Sequence, residues 1–211
     1  MTENKNLPKV GVIGSGSFAT AVVKMLMENC EKVHWLLRND GTREALVSQG
    51  SNPHYLTAVK FNPDRLVLTM DINELVTACD VIILATPSIY LADTIEKMTC
   101  DYSGKIFASV IKGIVPKHND IVANYLRDTF NIGYRSQAVL AGPCHAEEVA
   151  MERLSFLTVA AASKETTQML SDLLSSRYIR INQSNDILGN EYSAVLKNIY
   201  AIGAGMANGL G

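Results

Sequence analysis

The sequence predicts an α/β fold, a doubly wound sheet followed by the start of a separate helical unit. Three observations carry this. Short apolar runs alternate with helix-period segments from Val10 to Ile181, without internal repeat or low-complexity tract. The run Asp80–Ala85 is continuously apolar after its first residue, as a strand covered on both faces should be. From Asp186 onward the alternation gives way to a single long helical pattern, with small residues concentrated after Tyr200.

Taken in order, Val10–Ile13 reads as the first strand, Gly14–Ala19 as a tight turn, and Thr20–Glu28 as the first helix. Val33–Leu37 is the second strand, ending at Arg38-Asn39-Asp40. Thr42–Gln49 is a short helix closed by Gly50, and residues 51–56 (S-N-P-H-Y-L) form a loop. Leu66–Leu68 reads as a strand and Asp71–Ala78 as a helix with Asp71 as its N-cap. The strand Asp80–Ala85 ends in Thr86-Pro87-Ser88, and a helix starts near Ile89. Lys105–Val110 is the next strand, with Lys112-Gly113 just past its C-terminal end. Asp120–Phe130 is helical, and the strand Gln137–Ala141 leads into G-P-C-H-A-E-E-V-A. Leu154–Ala161 and Tyr178–Ile181 are strands flanking the helix Lys164–Ser175.

The glycine turn carries the first functional signal. G-x-G-x-x-A, placed between a strand and a helix, is the arrangement that receives a dinucleotide pyrophosphate. Gly14 permits the turn and Gly16 leaves room for phosphate to approach the backbone. Ala19 lets helix and strand pack closely, and the helix N-terminus offers N–H groups and its positive dipole end. The fold is therefore expected to be Rossmann-type. The second strand is where such a fold meets the adenosine ribose. An acid there favours NAD, whereas Arg38 could pair with a 2′-phosphate and favour NADP. The plainer reading of Arg38 is a solvated strand-end side chain, and the nearby Asp40 keeps dual use of NAD and NADP open.

Composition bounds the rest. With 211 residues, 47% hydrophobic and 19% charged, the chain can bury a sizeable core. A net charge of −2 without a basic block gives no sign of a nucleic-acid partner. Cys30, Cys79, Cys100 and Cys144 are widely spaced, which reads as reduced cytoplasmic thiols. The polar N-terminus runs directly into the first strand, so no signal peptide is expected. The apolar stretch Tyr192–Gly211 is interrupted by Lys197, Asn198 and Asn208, so no integral membrane contact is expected. His34 and His54 lack a third partner at ligand spacing, so no metal is assigned.

Two lysines are the candidate chemical groups. Lys197 lies in an otherwise apolar helix, where it either snorkels to solvent or is held in a cleft. Burial and a second cation would lower its pKa toward the range of proton exchange. Asn190, Ala194, Lys197 and Ala201 share one side of this helix, with Glu191 and Asn198 adjacent. Lys112, past a strand's C-terminal end, is the natural second cation, although alone it reads as a surface lysine. Cys144-His145 is a poor thiol–imidazole pair, because adjacent side chains usually point apart. The segment Gly142–Ala146 reads better as a loop whose backbone approaches a ligand. The following A-E-E-V-A looks like the first turn of a helix.

The ordered set of motifs resembles the bacterial NAD(P)-dependent glycerol-3-phosphate dehydrogenases. It comprises G-S-G-S-F-A-T-A, N-P-H-Y-L at 52–56, A-T-P-S at 85–88, K-G at 112–113, G-P-C-H-A-E-E-V-A at 142–150 and E-Y-S-A-V-L-K-N at 191–198. The resemblance covers essentially the whole chain, and its last two motifs are the most specific. It implies reversible reduction of dihydroxyacetone phosphate to sn-glycerol 3-phosphate with NADP(H) or NAD(H), in glycerophospholipid synthesis. It implies Lys197 as proton donor and acceptor, and Lys112 as the lysine touching both cofactor and substrate. Gly14, Gly16, Ser17, Phe18, Arg38, Tyr55, Lys112 and Ala146 would then line the dinucleotide site. Gly142, Cys144, Lys112, Lys197 and Asn198 would meet the substrate. The location implied is cytoplasmic, with a homodimer as the candidate assembly.

Two residues depart from that pattern: Cys144 stands where serine or asparagine is usual, and Thr57 where proline is usual. Similar enzymes continue into a helical domain that carries an aspartate and an Arg-Asn pair binding the glycerol phosphate. Residues 1–185 are therefore expected to form the dinucleotide-binding domain and 186–211 the start of a truncated helical substrate domain. The chain alone is expected to bind cofactor with little turnover. The competing readings are a non-catalytic dinucleotide-binding module and a related hydroxyacid dehydrogenase.

Overall fold

The computed structural model describes residues 7–211. The expectation about a signal peptide falls mostly on residues 1–6 and lies outside them. Eight strands form one sheet: β1 (Val10–Ile13), β2 (Val33–Leu36), β3 (Leu66–Thr69), β4 (Val81–Leu84), β5 (Ile106–Ser109), β6 (Gln137–Ala141), β7 (Ser155–Ala161) and β8 (Ile179–Ser184). The spatial order is β3-β2-β1-β4-β5-β6-β7-β8. Every pair is parallel except β6–β7, which runs antiparallel. Strand order reverses on either side of β1, and at that switch point the C-terminal ends of β1 and β4 open a crevice.

The helices are α1 (Ser17–Leu26), α2 (Asp40–Gln49), α3 (Ile72–Ala78), α4 (Ser88–Ile95), α5 (Val122–Phe130), α6 (Ala146–Ala150), α7 (Lys164–Leu174) and α8 (Ile187–Leu210). Alternate residues of the central strands feed two separate cores, as a sheet covered on both faces requires. Val10, Val12, Val81 and Ile83 join Ala19, Val22, Val23, Leu26 and Leu170 on the α1 and α7 side. Ile13, Ile82 and Leu84 join Leu75, Val76, Leu91 and Tyr125 on the α3, α4 and α5 side. A third, smaller core gathers Ile121, Ala123, Val139, Ala141, Ala160, Ile187 and Ala194, and seats the start of α8 against β6 and β7.

Several boundaries differ from the sequence expectation, each for a local reason. The first helix begins at Ser17 rather than Thr20, because Gly16 is already its extended N-cap and accepts from Thr20 N–H at 3.0 Å. The second begins at Asp40, since the Asn39 side chain accepts from Thr42 N–H at 2.9 Å and caps it. Residues 115–120 form a closed turn rather than a helix start: Val115 N–H donates to the Asp120 carbonyl at 2.7 Å. The last strand extends to Ser184, where register with Ala160 of β7 sustains it.

Candidate active site

The glycine turn is built as its sequence requires. Gly14 has φ +126°, and a Cβ there would sit 2.5 Å from the Ala85 carbonyl oxygen, so β1 and β4 approach too closely for any side chain. A Cβ on Gly16 would meet nothing within 4 Å, so the space beside it is open. No side chain caps the α1 N-terminus, as an anion-binding helix end needs. The turn is held from behind by two groups. Trp35 Nε1–H donates to the Gly14 carbonyl at 2.6 Å. The buried Asn52 amide donates to the Ser15 carbonyl at 3.0 Å and to Thr20 Oγ1 at 2.9 Å.

Gly14 and Gly16 line a cavity of about 760 Å³ together with Arg38, Asn39, Thr42, His54, Tyr55, Thr86, Pro87, Tyr90 and Lys97. Arg38 and Tyr55 therefore share one cavity with the glycine turn. The Arg38 guanidinium lies over the Tyr90 ring, 5.8 Å from its centroid. Asp40, the residue that keeps dual use of NAD and NADP open, lies exposed in the first turn of α2.

A second group of side chains gathers around Lys112. Its ammonium lies 5.3 Å from the centroid of Phe18, at the start of α1. Lys112 is half-buried, and its pKa is lowered, first by burial and then by the charge of Lys197, with Cys144 acting weakly in the other direction. Lys197 itself is exposed rather than held in a cleft, and its ammonium donates to the Asn198 side-chain oxygen at 3.0 Å. Ser17 donates weakly to Glu147 at 3.4 Å, which links the starts of α1 and α6.

In the loop between β6 and α6, Gly142 has φ +133°, and a Cβ there would meet the Phe156 carbonyl at 2.9 Å. Cys144 is buried, and burial raises its pKa. His145 is exposed, so the pair is no nucleophile–base couple. Ala146 starts α6 with its methyl in the core. Among the described residues no group of His, Cys, Asp and Glu could hold a metal ion, and no helix is long and apolar enough to cross a membrane.

Sequence reasoning missed three contributors. Tyr90 read only as a helix residue. Asn52 lay within the N-P-H-Y-L motif, but its grip on the glycine turn is a contact across 37 positions. Glu191 read as a neighbour of the lysine face. In the structure it is fully buried, and its two carboxylate oxygens accept from Val122 and Ala123 N–H, each at 3.0 Å. Burial raises its pKa to about 7, against those two hydrogen bonds, which lower it, and with the Asp120 charge adding to the rise.

Comparison with known proteins places this arrangement. A family profile described as NAD-dependent glycerol-3-phosphate dehydrogenase N-terminus matches residues 9–167. Glycerol-3-phosphate dehydrogenase [NAD(P)+] of Pseudomonas fluorescens (strain SBW25) is 35% identical over 212 aligned positions, covering 100% of this chain and 60% of the relative. The enzyme of the same name from Latilactobacillus sakei subsp. sakei (strain 23K) is 32% identical, covering 96% and 61% respectively. The solved structure of Plasmodium falciparum glycerol-3-phosphate dehydrogenase superposes with a TM-score of 0.86 at 26% identity, over 97% of this chain and 60% of that one. The Coxiella burnetii structure, at 23% identity and a TM-score of 0.84, supports the fold alone. The chain thus spans about 60% of the length of the curated relatives it matches. From the glycine turn to the first turn of α7, it belongs to the NAD-dependent glycerol-3-phosphate dehydrogenase N-terminal family.

Proposed function

We propose that this chain is the dinucleotide-binding part of an sn-glycerol-3-phosphate dehydrogenase, which reversibly reduces dihydroxyacetone phosphate to sn-glycerol 3-phosphate with NAD(P)H. The single observation that carries the reading is the continuity between two groups. The glycine turn opens a cavity toward Arg38, and α1 leads from the same turn through Phe18 to Lys112 and the field of Lys197. The residues fit a dinucleotide: the uncapped α1 N-terminus and the open space at Gly16 suit a pyrophosphate, and the Arg38–Tyr90 pair suits the adenosine end. Gly14, Gly16, Ser17, Phe18, Arg38, Tyr55 and Lys112 would hold it, with Ala146 contributing through its backbone.

When bound, the nicotinamide supplies the hydride. The chain's own contribution is charge and a proton. Hydride addition at the carbonyl carbon leaves negative charge on the former carbonyl oxygen. Two lysines at that end stabilise the charge, and the Lys197 ammonium gives up the proton that completes the alcohol. Lys112, half-buried and bearing on both groups, keeps the positive field in place. Asn198, bonded to the Lys197 ammonium, orients it. Gly142 and Cys144 would meet the substrate through their loop backbone. Residues 1–185 would act as the cofactor domain and 186–211 as the entry into the substrate domain. A cytoplasmic setting is supported by the four described cysteines being free thiols. The exposed apolar side chains of α8, including Ile199, Tyr200 and Met206, suit packing against the helical substrate domain or, in a homodimer, against a second copy of the chain.

The test is NADPH oxidation with dihydroxyacetone phosphate, followed by absorbance. It is run on this chain and on one lengthened to the full extent of the relatives. The expected result is cofactor binding by both and substantial turnover by the longer chain. Absence of turnover in both would overturn the enzyme reading.

A further inference from the structure

We propose that Glu191 is the positioning residue that sets Lys197 opposite Lys112, by fastening the helix that bears one lysine to the end of the loop that bears the other. The proposal rests on the reading above in taking the two lysines to work together.

On the loop side, the chain leaves β5 and passes through Lys112 into a closed turn. Val115 and Ile121 are fully buried at the ends of that turn, and the Val115–Asp120 hydrogen bond closes it. The loop then enters α5, whose N-cap, Ile121, has no side chain able to accept a hydrogen bond. The nearest acid cannot serve that role, because Asp120 accepts from Ile121 N–H at 2.7 Å and from the Asn124 amide at 2.9 Å. The first two N–H groups of α5 are satisfied instead by Glu191, 69 and 68 positions away in sequence.

On the helix side, the buried residues of α8 are Ile187, Glu191 and Ala194, a single face at i, i+4 and i+7. Ile187 and Ala194 make apolar contacts, which tolerate small rotations and slides. Glu191 makes two hydrogen bonds of 3.0 Å, which do not. Lys197 follows Glu191 by less than two helical turns and lies beyond the last buried residue of α8. The direction in which Lys197 leaves the helix is therefore fixed at Glu191. A buried carboxylate is costly where an apolar side chain would pack, and a directional role accounts for its presence.

The experiment compares wild type with Glu191→Ala, Glu191→Gln and Lys197→Met. Three quantities are read: NADPH affinity by fluorescence, Lys112 titration by NMR (its signal assigned with Lys112→Arg), and kcat and KM for dihydroxyacetone phosphate in the form that turns over. Lys197→Met should move the Lys112 titration up toward the ordinary lysine range. Glu191→Ala should move it the same way, with NADPH affinity unchanged and kcat about a hundredfold lower. Glu191→Gln keeps the shape but offers one acceptor oxygen to two N–H donors, so its effects should lie between. If Glu191→Ala does not fold, Glu191→Gln decides. An unmoved Lys112 titration together with an unchanged kcat in the folded variant overturns the proposal, as does equal loss of NADPH affinity and kcat. If no form of the wild-type protein turns over, the functional reading fails, and the Lys112 titration alone decides the role of Glu191.

Discussion

The two ends of the candidate site are built to different standards of rigidity. At the glycine turn the backbone is buttressed from behind: Gly14 lies against Ala85, its carbonyl is held by Trp35, and Asn52 grips the Ser15 carbonyl. At the lysine end, α8 is fixed by three buried residues in its first turns, and from Leu196 onward its large apolar side chains are exposed. A cofactor is bound by pre-formed backbone geometry, which must exist before the ligand arrives. A proton donor needs only its direction fixed, and one buried carboxylate can do that. The lesson is that rigidity is concentrated where recognition depends on backbone, and directionality where it depends on one side chain.

The largest effect that would break this division concerns Lys197. Lys197→Met should lower kcat by about 10²–10⁴-fold, the usual range for removing a general acid, while leaving NADPH affinity unchanged. Steady-state kinetics and a fluorescence titration measure the two halves separately. A matched loss of both would mean that the lysine end contributes to cofactor binding and the two regions are not separate.

The second effect sharpens the role of pH at the anchor of α8. The Glu191 carboxyl is raised by burial from 4.5 to about 7, and Asp120 adds to the rise. A folded pKa above the unfolded one means that the contribution to stability is full below about pH 4.5 and is lost as pH rises through about 7. A shift of that size corresponds to on the order of 3 kcal/mol. Urea unfolding at a series of pH values should show wild type losing stability across that window relative to Glu191→Gln. A constant difference between the two proteins would show that Glu191 does not titrate there.

The same contrast explains what could be read from sequence. The strands were legible because a sheet buried on both faces imposes unbroken apolar runs, as Val81–Leu84 shows. That Gly14, Gly16 and Arg38 lie around one cavity was legible because each sits at a strand end. Asn52 and Glu191 were not, because their partners lie 37 and 69 positions away and nothing in the local pattern marks them. The start of α1 was set too late for the opposite reason: Ser17 and Phe18 read as part of the glycine motif, although Gly16 already caps a helix. Whether Lys197 was exposed or enclosed could not be decided from periodicity, because a helix face does not reveal what stands opposite it.

Two glycines two positions apart allow a smaller test of the rigid end. Gly14→Ala forces a side chain into left-handed backbone and against the Ala85 carbonyl, so it should cost about 1–3 kcal/mol of stability as well as cofactor affinity. Gly16→Ala meets open space and should leave the unfolding midpoint unchanged while still weakening NADPH, because the new methyl occupies the phosphate approach. Thermal unfolding with and without cofactor separates the two. Equal destabilisation by both would mean that the room beside Gly16 is not reserved for a ligand.

The smallest expected effect lies at the far edge of the cavity, where Arg38 lies over Tyr90 and, in the proposed reading, would discriminate between the two cofactors. Removing a charge-assisted hydrogen bond to a 2′-phosphate costs roughly 1.5–3 kcal/mol, about ten- to a hundredfold in affinity, less where solvent screens it. Arg38→Ala should therefore weaken NADPH by about tenfold at low salt and NADH only slightly. Tyr90→Leu, which removes the ring that orients the guanidinium, should give a weaker version of the same shift in ratio. Raising the salt concentration should reduce the Arg38 effect, because an exposed ion pair is screened. An NADPH-to-NADH affinity ratio that neither substitution changes would make Arg38 a solvated strand-end residue. The rigid end of the site would then hold the pyrophosphate without discriminating between the two cofactors.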